Sequence, residues 1–112
     1  VVSLLGVTGT PHRVVLERYL GDDGEGRPKH AAAVELDGRV EVISRRVQLD
    51  TGRVVALAAL VFLPGTVEVA PQDRLTYTAP GLAGSGTPHK VELVDSPVWL
   101  DGRPMHHECG VT

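Results

Sequence analysis

Turn-forming residues cut this chain into pieces of strand length. Gly9-Thr10-Pro11, Asp37-Gly38, Asp50-Thr51-Gly52, Pro64-Gly65, Pro71-Gln72-Asp73 and Asp101-Gly102 carry the residue types that supply turns. Two longer loops are expected at residues 21–29 and 79–88. The segments between are rich in β-branched residues, which suit a pleated, half-buried surface. Short strands at this spacing predict an all-β fold, a small β-barrel or sandwich with long loops and little helix.

The period of each segment says which side chains face inward. Arg39-Val40-Glu41-Val42 alternates, placing Val40 and Val42 on one face, and Asp37-Gly38 before it reads as a hairpin turn. Val47 and Leu49 fall on the opposite parity, which a bulge near Ser44-Arg45 reconciles. Thr66-Val67-Glu68-Val69 and His89-Lys90-Val91-Glu92-Leu93 also alternate, with Val67, Val69, Val91 and Leu93 predicted to face inward. Residues 54–63 are apolar throughout and do not alternate. A central strand covered on both faces reads this way. A short buried helix is the rival, since Ala and Leu are good helix formers. The strand is favoured because no capping residue precedes the run and Pro64 ends it. Residues 12–20 are read as strand on similar grounds.

At 112 residues the chain is expected to form a single domain, residues 1–112. Its 42% hydrophobic residues supply a real core. That core is modest, because a chain of this size buries only roughly 65% of its unfolded surface. With one Trp, two Tyr and one Phe, it must be built from Val, Leu and Ala. The net charge is −3, from 11 basic and 14 acidic residues, with no basic stripe, so gripping a nucleic-acid backbone is not expected. Cys109 is the single cysteine, which excludes an internal disulfide and fits a reducing compartment. The ten apolar residues at 54–63 are too few for a membrane-spanning helix, which needs roughly 20, and no export signal is apparent.

Several constellations bear on chemistry. Asp50-Thr51-Gly52 matches the loop by which small aspartic proteases present one of two carboxylates that share a proton. Arg53 follows where a small residue is expected, and the later apolar-Gly-Arg segment of those enzymes is absent. The alternative is a three-residue hairpin loop with Gly52 at positive φ. Met105-His106-His107-Glu108-Cys109 offers zinc-type ligands, but at no finger or ribbon spacing. A solvated C-terminal strand or tail is the plainer reading, and a nucleophilic Cys109–His107 pair has no evident pocket. Gly84-Ser85-Gly86 lacks a nucleophile elbow and reads as a flexible link. Trp99 beside Pro97 is read as a barrel plug. No catalytic, cofactor or metal site is therefore predicted.

From Leu63 onward a more specific pattern appears. Leu63-Pro64 is followed by Val67-Glu68-Val69, by Pro71-Gln72-Asp73-Arg74-Leu75-Thr76-Tyr77, and by Val91-Glu92-Leu93-Val94-Asp95-Ser96-Pro97-Val98-Trp99. This succession resembles the second half of the head-closure, or stopper, proteins of tailed bacteriophages. They share an Asp-Arg-apolar strand, a loop, and a strand closing on an Asp/Pro turn before a last strand. Residues 12–20, the loop at 21–29 and residues 31–42 read like the early strands of that family. The resemblance implies a β-barrel that forms a homo-oligomeric ring in the virion neck, assembled in the host cytoplasm. Its partners would be portal or adaptor proteins above and tail proteins below, with double-stranded DNA passing without specific binding. Asp22, Asp23, Glu25 and Arg27 in the first loop, with Gly84 and Ser85 in the second, are the expected partner or lumen contacts. Another neck or tail component such as a tail terminator, a generic β-barrel interaction module, and a small hydrolase using Asp50 stay open as alternatives.

Overall fold

The computed structural model describes residues 12–112; the turn signal at Gly9-Thr10-Pro11 lies outside them. The described residues form eight strands and no helix: β1 (His12–Glu17), β2 (Tyr19–Asp22), β3 (Pro28–His30), β4 (Val34–Gln48), β5 (Val54–Pro64), β6 (Arg74–Thr78), β7 (Pro88–Asp95) and β8 (His106–Val111). Six of them close into an antiparallel barrel in the order β1-β4-β5-β8-β7-β6. The fold is therefore all-β, and a barrel rather than an open sandwich. β2 and β3 form a separate two-stranded hairpin.

Two strands turn the corners. β4 pairs with β1 through Val34–Gly38, then leaves it and pairs with β5 from Arg39 onward. Gly38 sits at that switch. A Cβ there would stand 2.9 Å from the Phe62 carbonyl oxygen and 3.0 Å from a Val14 methyl. Asp37-Gly38 is thus mid-strand and not the hairpin turn its residue types suggest; the glycine allows close approach at a barrel corner. β7 pairs first with β6 and then with β8, its ladder shifting between Val91 and Leu93. That bulge reverses parity. Val91 and Val94 face the core, and Leu93, expected to face inward, does not join the core cluster.

The bulge anticipated in β4 is present, with the ladder shifting between Val42 and Arg45. Val40 is buried as expected, whereas Val42, beside the bulge, is 44% exposed. Residues 54–63 are strand, paired with β4 on one side and β8 on the other. They alternate in burial: Val55, Leu57, Ala59, Val61 and Leu63 are buried, and Val54 and Ala56 face solvent. Only one face is fully covered, contrary to the two-sided burial their composition suggests. Residues 66–69 form no strand, yet Val67 and Val69 still pack against the core.

The largest correction is at the end of the chain. Residues 106–111 are a strand, one of the two forms expected, but not a solvated one: β8 inserts between β5 and β7, and His106, His107, Cys109 and Val111 are buried. The core is aliphatic as predicted, with Tyr77 its one fully buried aromatic. Trp99 is no plug. It lies half-buried in the connection between β7 and β8, beside Pro64 and Met105 at the barrel's edge.

Candidate functional site

Three hairpin loops are built alike. In each, the first residue donates its N–H to the fifth residue's carbonyl, and the fourth, a glycine at positive φ, donates back to the first. The pairs are Asp23 with Arg27 (2.7 Å) and Gly26 (3.1 Å), Leu49 with Arg53 (2.8 Å) and Gly52 (2.8 Å), and Trp99 with Arg103 (2.8 Å) and Gly102 (2.9 Å). Gly26, Gly52 and Gly102 have φ of +80°, +86° and +86°. This is the three-residue loop with a glycine bulge, and an arginine follows each glycine. The hairpin reading of Asp50-Thr51-Gly52 is thereby borne out. The expected long loop at 21–29 is instead largely a rigid hairpin, with Asp22 in β2 and Asp23, Glu25 and Arg27 at its tip. The Asp23 carboxylate fixes the tip by accepting the Glu25 N–H (2.8 Å) and the Arg27 N–H (3.0 Å). The Tyr19 hydroxyl donates to Asp22 at 2.7 Å, and that bond, with burial, raises the tyrosine's pKa above its ordinary value.

Asp73 roots the β2–β3 hairpin to the barrel. Its carboxylate is 2% exposed and accepts the Tyr19 N–H at 2.7 Å and the Ala70 N–H at 2.9 Å. The Arg18 guanidinium lies 2.8 Å away, a charge contact whose Nε–H is not aligned for a hydrogen bond. A buried carboxylate with this many donors is satisfied rather than reactive. On the other side, Arg53 of the β4–β5 loop reaches the buried Glu92 of β7 at 2.7 Å. That contact draws the loop onto the barrel.

Between these two hairpins lie two grooves that meet at Gln72 and Lys90. One, of about 450 Å³, is lined by residues including Tyr19, Asp22, Pro28, His30 and Pro88. The other, of about 580 Å³, includes Asp50, Thr51, Arg53 and Leu93. Gln72 is the only non-glycine among the described residues with positive φ, at +79°. It occupies the third position of a turn closed by Asp73 N–H to the Ala70 carbonyl (3.2 Å), with Pro71 at the second. That is a type II turn, whose third position normally takes Gly or Asn.

Gly84 and Ser85 are elsewhere and do different work. The loop at 79–88 is clamped to the barrel rather than flexible. The Ser85 hydroxyl accepts the Ala79 N–H at 2.9 Å, and the Tyr77 hydroxyl donates to the Ala83 carbonyl at 2.5 Å. The His89 ring stacks on Tyr77 at 4.9 Å and contacts the Gly84 carbonyl through Nε2 at 3.0 Å. Gly84 and Ser85 thus help to hold this loop against the barrel.

The third hairpin stands at the far end of the eleven-residue β5 from the β4–β5 loop, roughly 30 Å along the strand. Val98 is 58% exposed, Leu100 fully exposed and Trp99 half-buried. Asp101 stiffens the tip by accepting from the Arg103 N–H (3.0 Å) and Nε–H (2.7 Å). A mainly apolar groove beside it is lined by Pro64, Thr66, Trp99, Pro104 and Met105, with Arg103 its charged member. The sequence reading missed this surface because it assigned Trp99 to the interior. The exposed Val98 and Leu100 on either side of the Trp, before Asp-Gly, were the available signal.

Potentially reactive groups are scattered. Ser96 Oγ lies 2.6 Å from His107 Nδ1, but His107 Nε2 is buried with no partner, and neither residue lines a described groove. Burial pushes the Cys109 thiol up to about 12, with the Asp73 charge adding to the shift. Asp50 is exposed at a loop tip. Among the described residues, no three His, Cys, Asp or Glu side chains are grouped to hold a metal. No family model matches the chain, and no curated protein matches it.

Proposed function

We propose that this chain is a structural subunit of a tailed-phage neck, a head-closure protein that forms a ring below the portal or adaptor and docks the tail. The observation that carries the proposal is the unlikeness of the barrel's two ends. One presents two polar hairpins around a pair of grooves; the other presents a stiff apolar tip. A subunit that stands between two different partners needs two different docking surfaces, whereas an enzyme needs convergent groups in one pocket. A fully exposed leucine beside an exposed valine, held by a rigid turn, suits an anchor for another protein. The net charge of −3 suits a channel that DNA passes without being gripped.

Removing the chain from an infection by an early stop codon tests the reading. Filled heads should lose DNA and remain tailless. Particles that keep both their DNA and their tails without it would exclude a head-closure role.

A further inference from the structure

β8 closes the barrel, and its first two residues are buried histidines whose rings are incompletely satisfied. His106 and His107 are 3% and 8% exposed. Their side chains alternate, so each has its own surroundings. His106 Nε2 faces the Glu108 carboxylate at 3.2 Å, so that nitrogen carries the hydrogen and a charge on the ring would be partly offset. His107 Nδ1 meets the Ser96 hydroxyl at 2.6 Å, and its Nε2 is sealed with no partner among the described residues. A hydroxyl can donate or accept, so either neutral form of the ring keeps the Ser96 bond. The charged ring carries a hydrogen on both nitrogens and leaves one N–H buried with no acceptor.

Nothing around His107 offsets that cost. β5 faces β8 with Phe62, Leu63 and Pro64, none of them charged. On β7, Asp95 is exposed and lies opposite Glu108, on the other face of the sheet from His107. On β8 itself, His106 and Glu108 point to that other face as well. In the connection before it, Asp101 and Arg103 hold each other at 2.7 Å at the hairpin tip. No charged side chain among the described residues forms a hydrogen bond or ion pair with His107.

We propose that His107 is an acid-sensitive latch on the closing strand. The uncharged ring seats β8 and pins Ser96, at the root of the apolar hairpin. The Met105 N–H bond to the Pro97 carbonyl (2.8 Å) closes the same root. When the ring takes up a proton it leaves its seat, and the segment from His106 to Cys109 parts from β7 with the hairpin attached. The opened ring charges as a histidine in water does, at about pH 6.5. The open state thus binds the extra proton, and opening is favoured as pH falls. For one proton, the open fraction rises about tenfold between pH 7.5 and pH 5.5. The latch needs nothing from the neck reading; it governs the pose of the tip.

Cys109, two residues along β8 and fully buried, reports the opening. Its labelling by dithiodipyridine is followed at pH 7.5 and pH 5.5 and divided by that of glutathione at each pH, with circular dichroism recorded alongside. Wild type labels about tenfold faster at pH 5.5 with its strand signal intact. His107→Gln, which can still bond Ser96 but does not titrate, labels at the same relative rate at both. Ser96→Ala labels faster at both and keeps the tenfold ratio, because the titrating ring remains. A wild-type ratio near one, or a Ser96→Ala variant without the ratio, overturns the latch. So does a tenfold ratio that persists in His107→Gln, which would move the sensor to His12, whose Nδ1 accepts the Val40 N–H at 2.9 Å. Loss of the whole strand signal at pH 5.5 also overturns it, since the barrel then unfolds as one.

Discussion

Gly84→Ala isolates how firmly the loop at 79–88 is clamped. A Cβ at this position would stand 2.6 Å from the Tyr77 hydroxyl and 2.8 Å from His89 Cε1. The backbone also sits at φ +81°, where an L-residue costs about 1–2 kcal/mol. Relieving the overlap means moving Tyr77 or His89. That gives up the Tyr77–Ala83 hydrogen bond, worth about 0.5–1.5 kcal/mol net, and part of a ring stack of about the same value. The sum is about 2–4 kcal/mol. Gly86→Ala is the internal control: its φ is also +81°, but no atom lies within 4 Å of the added carbon. It should cost only the backbone part, about 1–2 kcal/mol. Urea unfolding of both variants, compared at constant m, gives the difference directly. Costs within about 0.5 kcal/mol of each other would refute the clamp and return the loop to a flexible link.

Other expectations follow from single contacts. Asp73→Ala leaves the Tyr19 and Ala70 N–H groups without their acceptor, while Arg18 keeps Glu68 at 3.1 Å, so it should cost about 2–4 kcal/mol and open the β2–β3 hairpin to proteolysis; unchanged cleavage near Glu25 would count against Asp73 as the root. The Arg74 hydrogen bonds hold the Glu17 carboxyl below its ordinary 4.5, outweighing burial. A depressed carboxyl stabilises the fold above the unfolded pKa and loses that effect as pH falls through the folded value. Stability measured from pH 7 to pH 3 should therefore fall less below about pH 4.5 in Arg74→Met than in wild type, and parallel acid limbs would contradict the assignment. The Cys109 thiol, buried and held near 12, should react with a thiol reagent at pH 8 only as the chain unfolds. Rapid labelling of the native protein would show that β8 opens locally.

The strand character of the chain was legible because it rests on local chemistry. Asp50-Thr51-Gly52 needed only its own backbone to form a loop, and the bulge near Ser44-Arg45 was visible as a slip in parity. What the sequence hid depended on distant neighbours. Asp37-Gly38 has hairpin composition, but the glycine answers to Phe62 and Val14, both far along the chain. The loop at 79–88 looks flexible until Tyr77 and His89 are seen to hold it. His106 and His107 look like surface residues, and only the insertion of β8 between β5 and β7 buries them. At the candidate site, the acidic hairpin was visible as composition. The meeting of the two grooves was not, because Gln72 and Lys90 come together through a turn and a strand whose pairing no local pattern announces.

The position of β8 sets an order of events during synthesis. β5 and β7 are neighbours of β8 and not of each other, so until the last strand emerges each keeps an unsatisfied row of backbone donors and acceptors. The barrel cannot shut from its N-terminal side; its closing piece follows the other seven described strands and must slot into a gap, a long-range step that slows folding. In that interval the nascent chain carries two sticky edges, one of them the apolar β5. A ribosome stalled short of His106 would hold a species prone to pairing with its neighbours on the same message.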